Sequence, residues 1–183
     1  MEKKRLALLG CGKLNNIVAD AYLNGFLPEY EVVGVLGRSE EKAAALAEKL
    51  GCVKCDNIDA LMALKPDYVA EAASVAAVKD CAETILAGGA NLVVISIGAF
   101  ADAVFLEQVK ATAKEHGTRV HIASGAVGGF DVLRTISLMG QAKTKMTSYK
   151  GPKSLQNTPL FEENLLHETE KKEVFMGSSK DAI

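Results

Sequence analysis

Residues 5–18 read RLALLGCGKLNNIV and join a short apolar run, a glycine pair and the start of a helical pattern. Leu6–Leu9 form the unbroken apolar run expected of a strand buried on both faces in a parallel sheet. Gly10 can take a tight turn, and Gly12 has no Cβ to block a pyrophosphate that approaches the backbone. A helix is predicted from Lys13 by apolar residues at helical spacing: Leu14, Ile17, Val18, Ala21 and Tyr22. The stretch therefore predicts the first strand, turn and helix of a dinucleotide-binding unit, with phosphates at the helix N-terminus.

The position of a third glycine in this turn is occupied by Asn15. In the G-x-G-x-x-G fingerprint that glycine lets the helix pack closely on the strand, so the Asn15 side chain must fit into the same space. A glycine pair alone is also what a strand-to-helix turn without any cofactor requires. This stretch by itself leaves both interpretations open.

The composition of the chain limits its class. Of 183 residues, 49% are hydrophobic and none is Trp, so we expect a core of Ala, Val, Leu and Ile. The net charge is −2 without a long basic run, which gives no support to nucleic acid or an anionic membrane as a partner. The apolar run after MEKKR is too short for a signal peptide, and no segment is long enough to span a bilayer. We therefore expect a soluble, cytoplasmic protein.

Four cysteines are scattered along the chain: Cys11, Cys52, Cys55 and Cys81. Cys52 and Cys55 form a C-x-x-C, which is typical of half a zinc site or of a redox pair. A zinc site needs a second ligand pair at suitable spacing, and a redox pair should open a helix after a strand. The sequence contains neither context. We therefore favour two small residues around a short strand in a reducing compartment.

Arg38 follows the second predicted strand, Tyr30–Leu36. An acidic residue at this point holds the ribose 2′-OH in NAD-selective sites, whereas an arginine can accept the 2′-phosphate of NADP. No carboxylate precedes Glu40, so the sequence favours NADP, or use of both cofactors, over strict NAD. The alternative is a solvated arginine at a helix start.

Strands and helices alternate through residues 1–123. Further strands are predicted at 68–71, 91–95 and 119–123. Two helices are predicted to begin after the N-caps Ser39 and Asp102, and two more are predicted at 56–64 and within 71–89. The buried stripes of two helices are predicted as Ala43, Leu46, Ala47 and Leu50, and as Val78, Ala82, Ile85 and Leu86. This alternation predicts an α/β fold with a Rossmann-type doubly wound parallel sheet. Ligands of such sheets bind beyond the carboxyl ends of the strands, where these residues fall: Gly10, Gly12, Arg38, Ala73, Gly98 and Ser124.

The pattern changes after Ser124. A glycine-rich segment opens a helix that runs through Met139, strands are predicted at Lys143–Tyr149 and Glu173–Met176, and a helix start is predicted at 177–179. These elements are too few to bury a full sheet face. We therefore expect a dinucleotide-binding domain at 1–123 and an incomplete α+β domain at 124–183, which either a partner chain completes or truncation has left short.

The order GCGKL, GRSEEKA, EAAS, SIGAFAD, SGAVGGFDVL, KGPKSL and VFMGS resembles the L-aspartate dehydrogenase family over nearly the whole chain. The resemblance implies an NAD(P)-dependent enzyme that oxidises L-aspartate to iminoaspartate, or aminates oxaloacetate with ammonia, in NAD biosynthesis. It also implies a homodimer with a Rossmann domain and an α+β domain. The family's glycine turn corresponds to Gly10 and Gly12, and its cofactor-contacting alanine corresponds to Ala126.

The sequence departs from the family pattern beyond VFMGSSKDAI. Family members continue into an N-x-N-V-A motif and a catalytic histidine, neither of which is in this sequence. The chain has three histidines, and none of them occupies the position of the catalytic one: His116, His121 and His167. The catalytic residue is therefore unknown. Two alternatives to an aspartate dehydrogenase stay open: a non-catalytic nucleotide-binding or regulatory module, and a dehydrogenase of another amino acid or semialdehyde.

The candidate site residues follow from the turn, the strand ends and the resemblance. Cofactor contacts are predicted at Gly10, Cys11, Gly12, Lys13, Leu14, Arg38, Ala73, Ser74, Gly98 and Ala126. Lys150 and Lys153 are candidate partners for the substrate carboxylates, although a solvated basic turn explains them equally well.

Overall fold

The computed structural model describes residues 2–123, 128–140, 143–156, 158–178 and 181. The chain divides into two compact units, Met1–Ala126 and Val127–Ile183. In the described residues of the first unit, six parallel strands form one sheet: β1 (Lys4–Leu9), β2 (Tyr30–Leu36), β3 (Val53–Cys55), β4 (Tyr68–Glu71), β5 (Asn91–Val94) and β6 (Val120–Ile122). The predicted α/β, doubly wound parallel sheet is therefore confirmed.

Helices connect the strands of this sheet. They are α1 (Lys13–Leu23), α2 (Glu40–Leu50), α3 (Ile58–Ala63), α4 (Val75–Ala87) and α5 (Ala103–His116), and a 3₁₀ turn at Ile97–Ala101 follows β5. The strand order is β3-β2-β1-β4-β5-β6. The chain thus leaves β1 toward one edge of the sheet and later returns to β4 on the other side of β1. The carboxyl ends of β1 and β4 form the switch point at which ligands of such sheets bind.

The sheet separates two apolar cores. Leu6 and Leu8 face the core that α1 and α2 cover, whereas Ala7 and Leu9 face the core that α4 and α5 cover. Both predicted helix stripes are confirmed, because every one of these residues is buried: Ala43, Leu46, Ala47, Leu50, Val78, Ala82, Ile85 and Leu86. Each fully buried leucine or isoleucine stabilises the fold by about 1.5–3 kcal/mol relative to an exposed one.

Side-chain oxygens cap three of the helices. Asn57 accepts a hydrogen bond from the Ala60 N–H, and Ser74 accepts one from the Ala77 N–H. Asp102 Oδ1 accepts from the two N–H groups at the start of α5, as the sequence predicts. Ser39 occupies the N-cap position of α2, but its side chain makes no capping hydrogen bond.

The first helix packs on the sheet through only part of its predicted apolar stripe. Leu14 and Ile17 are 48% and 54% exposed, whereas Asn15 and Ala19 are buried. The apolar spacing thus predicted the helix and its start at Lys13 correctly. Of the predicted stripe, Val18 and Tyr22 pack against the core, whereas Leu14 and Ile17 do not. A small residue and a hydrogen-bonded amide let α1 lie close to the strands.

The second unit contains helix α6 (Phe130–Leu138) and two short 3₁₀ turns, Pro152–Leu155 and Glu163–His167. The strands predicted at Lys143–Tyr149 and Glu173–Met176 are wrong, because these described residues have no strand structure. A strand needs a neighbour to take up its backbone hydrogen bonds, and the described part of this unit contains no strand. The helix start predicted at 177–179 falls partly outside the described residues.

Candidate cofactor site

Gly10 forms a tight turn at the carboxyl end of β1. Its φ angle is +108°, and its N–H donates a 2.7 Å hydrogen bond to the carbonyl oxygen of Leu36 at the end of β2. A Cβ at Gly10 would lie only 2.5 Å from the carbonyl oxygen of Ala72, which follows β4. Glycine is therefore required here by both the backbone angle and the contact with the β4–α4 loop.

Gly12 is the N-cap of α1 and faces open space. Its backbone is extended, and a Cβ built on it would meet no atom within 4 Å. Packing within the first unit therefore does not demand a glycine at this position. The N–H groups of the first turn of a helix lack intrahelical partners and carry partial positive charge, so the space over Gly12 suits an anionic group.

Asn15 fits into the space of the missing third glycine. Its side chain is 1% exposed, and Nδ2 donates to the carbonyl oxygens of Leu9 at 3.0 Å and Gly10 at 2.8 Å. The amide thus anchors the first turn of α1 to the glycine turn instead of holding the helix away from it. The departure from the glycine fingerprint is compatible with the close helix packing that the fingerprint serves.

Cys11 connects the glycine turn to the β2–α2 loop. A Cβ at Gly37 would lie 2.5 Å from Cys11 Sγ, and the Cys11 thiol points to the Ser39 carbonyl oxygen at 3.7 Å. Arg38, between these two residues, is exposed. The residue predicted to select the cofactor therefore stands on a loop that packs directly on the glycine turn.

A cavity of about 410 Å³ opens between α1 and α2, beside the glycine turn. It is lined by Cys11, Gly12, Lys13, Asn16, Lys42, Ala45, Leu46 and Lys49. Three lysines make this groove electropositive, although Lys49 also pairs with Asp20 at 2.6 Å. Lys42 was not predicted from the sequence; it lies in the first turn of α2, four residues after Arg38.

Glu71, the last residue of β4, is a functional candidate that the sequence analysis missed. Its side chain is 1% exposed. One carboxylate oxygen accepts from the N–H groups of Ala73 (2.7 Å) and Ser74 (3.1 Å) and from the Ser96 hydroxyl (2.8 Å). The other oxygen accepts from the N–H groups of Ile95 (3.2 Å) and Ser96 (3.0 Å). A single carboxylate at the end of an otherwise apolar strand was the signal for this residue.

The remaining predicted residues are distributed over both units. Ala73 and Ser74 lie on the loop that Glu71 holds, and Gly98 lies in the 3₁₀ turn after β5. In the second unit, Lys150 is exposed and Lys153 is an exposed residue of the 3₁₀ turn Pro152–Leu155. Ala126 and Ser124 fall outside the described residues.

Cys52 and Cys55 flank and end strand β3, as predicted. Burial raises the pKa of the Cys52 thiol to about 11 and also raises the pKa of Cys55. Both thiols are therefore protonated at neutral pH, whereas metal binding and disulfide exchange require the thiolate. Within the described ranges, no three side chains of His, Cys, Asp or Glu gather into a metal-binding group.

Residues 10–123 match the family model described as homoserine dehydrogenase, NAD binding domain. L-aspartate dehydrogenase of Methanococcus maripaludis (strain S2) is 31% identical over 182 residues, which cover 98% of this chain and 67% of that protein. The chain belongs to the L-aspartate dehydrogenase family. The resemblance found in the sequence motifs is thereby confirmed.

Two further family members differ in how much of their length the chain matches. L-aspartate dehydrogenase of Methanocaldococcus jannaschii is 32% identical over 134 residues, covering 73% of this chain and 50% of that protein. The crystal structure of aspartate dehydrogenase from Thermotoga maritima superposes with a TM-score of 0.56 at 29% identity, covering 74% of this chain and 52% of that one. The chain thus spans about half to two thirds of the length of the curated relatives named here. Among the described residues, no helix is long and apolar enough to cross a membrane.

Proposed function

We propose that this chain binds NAD or NADP at the carboxyl ends of β1, β2 and β4, and that it serves the oxidation of L-aspartate to iminoaspartate or the reverse amination of oxaloacetate. The observation that carries the proposal is the open space over Gly12 at the N-terminus of α1, beside a turn that only glycine can form at Gly10. Membership of the L-aspartate dehydrogenase family supports the substrate. A cytoplasmic homodimer that contributes to NAD biosynthesis belongs to the same proposal.

The glycine turn supplies the pyrophosphate contacts in this proposal. Residues 11–14 present backbone N–H groups of a turn and a helix start, whereas Gly10 shapes the turn and its own N–H is bonded to Leu36. Lys13 adds a positive charge at the mouth of the groove between α1 and α2. Ala73, Ser74 and Gly98 provide small residues on the loops after β4 and β5, which suit a flat ring. A bound nicotinamide supplies the hydride acceptor, and Ala126 is the further proposed contact.

Arg38 is the proposed partner of a 2′-phosphate. It is exposed on the loop after β2, and no carboxylate stands between this strand and Glu40 to hold a ribose 2′-OH. Lys42 lines the adjacent groove and adds a second positive charge. We therefore propose that NADP is accepted at least as well as NAD.

Lys150 and Lys153 are proposed to pair with the two substrate carboxylates. They are exposed in the second unit, on and before the turn Pro152–Leu155. Two cations three residues apart in the sequence can pair with the two carboxylates of one substrate molecule. Replacement of Lys150 or Lys153 by alanine should raise KM for L-aspartate more than it lowers kcat.

Cofactor binding without turnover is the second candidate function. The positions of the histidines favour it: His116 ends α5, His121 lies within β6, and His167 ends a 3₁₀ turn of the second unit. Neither histidine of the first unit lies on the loops after β1, β2, β4 or β5. An acid or base for the amine is therefore lacking among the described histidines there.

A paired titration and assay tests the proposal. The chain is titrated with NADPH and with NADH, followed by cofactor fluorescence, and L-aspartate-dependent reduction of NADP⁺ is measured on the same sample. Saturable binding with turnover supports the dehydrogenase, and binding without turnover supports the second candidate. Absence of binding to either cofactor contradicts both.

A further inference from the structure

Glu71 places a buried negative charge at the switch point of the sheet. Its two oxygens together face four backbone N–H groups and one hydroxyl. Each oxygen thus faces two N–H donors, and only an unprotonated carboxylate can accept from all of them. Among the ion pairs of the described residues, none includes Glu71. Within the described part of the chain, backbone and hydroxyl dipoles therefore stabilise this charge.

The carboxylate lies between loops that form the proposed cofactor site. Glu71 pairs with Leu9 in the register of β4 and β1, and the next residue, Ala72, touches Gly10. Ala73 and Ser96, the small residues on either side, are held by the carboxylate itself. A charge in this position is shielded from water but adjacent to the edge at which a ligand would bind.

We propose that Glu71 determines the preference of the site for oxidised over reduced cofactor. The inference rests on the proposed function. Oxidised nicotinamide carries one positive charge that the reduced ring lacks, whereas the adenosine and pyrophosphate parts of the two forms are identical. A buried carboxylate at the ends of β4 and β5, where the ring is proposed to bind, would attract the oxidised form and would not attract the neutral reduced form.

The ratio of the dissociation constants for reduced and oxidised cofactor distinguishes a charge effect of Glu71 from a purely structural role. If Glu71 only holds the loops, its loss weakens the oxidised and reduced cofactors by the same factor. If its charge acts on the ring, Glu71→Gln lowers the affinity for the oxidised form by roughly tenfold more than for the reduced form. Ser96→Ala is the matched control, because it removes one hydrogen bond to the carboxylate but keeps its charge.

The experiment measures Kd by calorimetry for NAD⁺, NADH and ADP-ribose with the wild-type chain, Glu71→Gln and Ser96→Ala. We expect the ratio of Kd for NADH to Kd for NAD⁺ to fall about tenfold in Glu71→Gln and to stay within twofold in Ser96→Ala. An unchanged ratio in a folded Glu71→Gln overturns the inference, although wild-type binding would still support the proposed function.

The wild-type chain alone provides a second test should Glu71→Gln not fold. ADP-ribose lacks the nicotinamide, so it measures the affinity of the shared part. We expect the oxidised ring to improve Kd over ADP-ribose by a larger factor than the reduced ring does. An equal or larger gain for NADH overturns the inference. If none of the three ligands binds, the proposed function fails and the inference fails with it.

Discussion

The side-chain amide of Asn15, in the first turn of α1, donates a 2.8 Å hydrogen bond to the carbonyl oxygen of Gly10, which precedes the helix. The same nitrogen also reaches the carbonyl oxygen of Leu9 at 3.0 Å. Asn15 thereby satisfies backbone acceptors at the end of a buried strand, where no neighbouring strand continues. A polar residue at the most closely packed point of α1 therefore stabilises the glycine turn.

Asn15→Ala should destabilise the first unit. The Leu9 carbonyl keeps its bond from the Ala72 N–H, but the Gly10 carbonyl loses the Asn15 donor in a buried place. We expect a loss of about 1–3 kcal/mol in the free energy of unfolding. Equilibrium urea denaturation followed by circular dichroism measures it. Asn24→Ala is the control, because that exposed amide only bonds the Asp20 carbonyl oxygen, and a cost equal to that of Asn15→Ala would contradict the role given to Asn15.

Gly12→Val should abolish cofactor binding without unfolding the chain. The side chain would point into open space, so we expect a stability change of no more than about 1 kcal/mol, the usual range for an N-cap. The branched side chain would occupy the proposed pyrophosphate position, and affinity for NADPH should fall at least about a hundredfold. Fluorescence titration measures the affinity; wild-type affinity in this variant would remove the glycine turn from the site.

Gly10→Ala, in contrast to Gly12→Val, should lower the stability of the fold. Its backbone angle of +108° alone costs an alanine of order 1–3 kcal/mol, and the Cβ would also collide with the Ala72 carbonyl oxygen. We therefore expect a lower urea midpoint before any effect on ligands is considered. A Gly10→Ala protein as stable as the wild type would show that the turn is not as tight as described.

Arg38→Asp should shift preference from NADP toward NAD. A carboxylate repels the 2′-phosphate and accepts a hydrogen bond from the ribose 2′-OH, so the ratio of Kd for NADPH to Kd for NADH should rise about tenfold or more. Arg119→Asp controls for net charge, because Arg119, just before β6, is also exposed. If the ratio of Kd for NADPH to Kd for NADH is the same in Arg38→Asp and Arg119→Asp, Arg38 is a solvated surface residue that does not contact the cofactor.

Lys79→Met should raise the pKa of Asp102. In the wild type, the Lys79 ammonium, 3.0 Å from the Asp102 carboxylate, is the largest cause that lowers this pKa below its ordinary value of 3.8, and the Phe105 N–H is the next. A lowered pKa stabilises the fold fully above pH 3.8, and this contribution is lost as the pH falls through the lowered value. NMR titration of the carboxyl carbon measures the shift. An unchanged Asp102 pKa in Lys79→Met would show that the N-cap hydrogen bonds alone lower it.

The elements that the sequence predicted well are those whose pattern is local. Strands β2 and β4 have the predicted bounds, and the stripes of α2 and α4 are all buried, because apolar periodicity and end signals lie within each segment. The strands predicted at Lys143–Tyr149 and Glu173–Met176 are wrong, because a strand depends on a partner that β propensity does not report.

Local sequence patterns did not predict the roles of Asn15 and Glu71, the two polar residues that organise the candidate site. From the sequence, Asn15 was recognised only as a missing glycine, and Glu71 only as the last residue of the strand predicted at 68–71. Their roles depend on carbonyl and N–H groups of neighbouring strands and loops, which the register of the sheet brings together. Hydrophobic spacing cannot indicate where such long-range acceptors and donors fall.

The contact of Gly37 with Cys11, and that of Gly10 with Ala72, have a consequence for protein engineering. At each contact a glycine leaves no room for even a methyl group against the neighbouring loop. A designer who exchanges the β1–α1 turn with that of another dehydrogenase must therefore transplant the loops after β2 and β4 as well. Altered cofactor use in this scaffold should come from point changes at exposed positions more readily than from loop grafting.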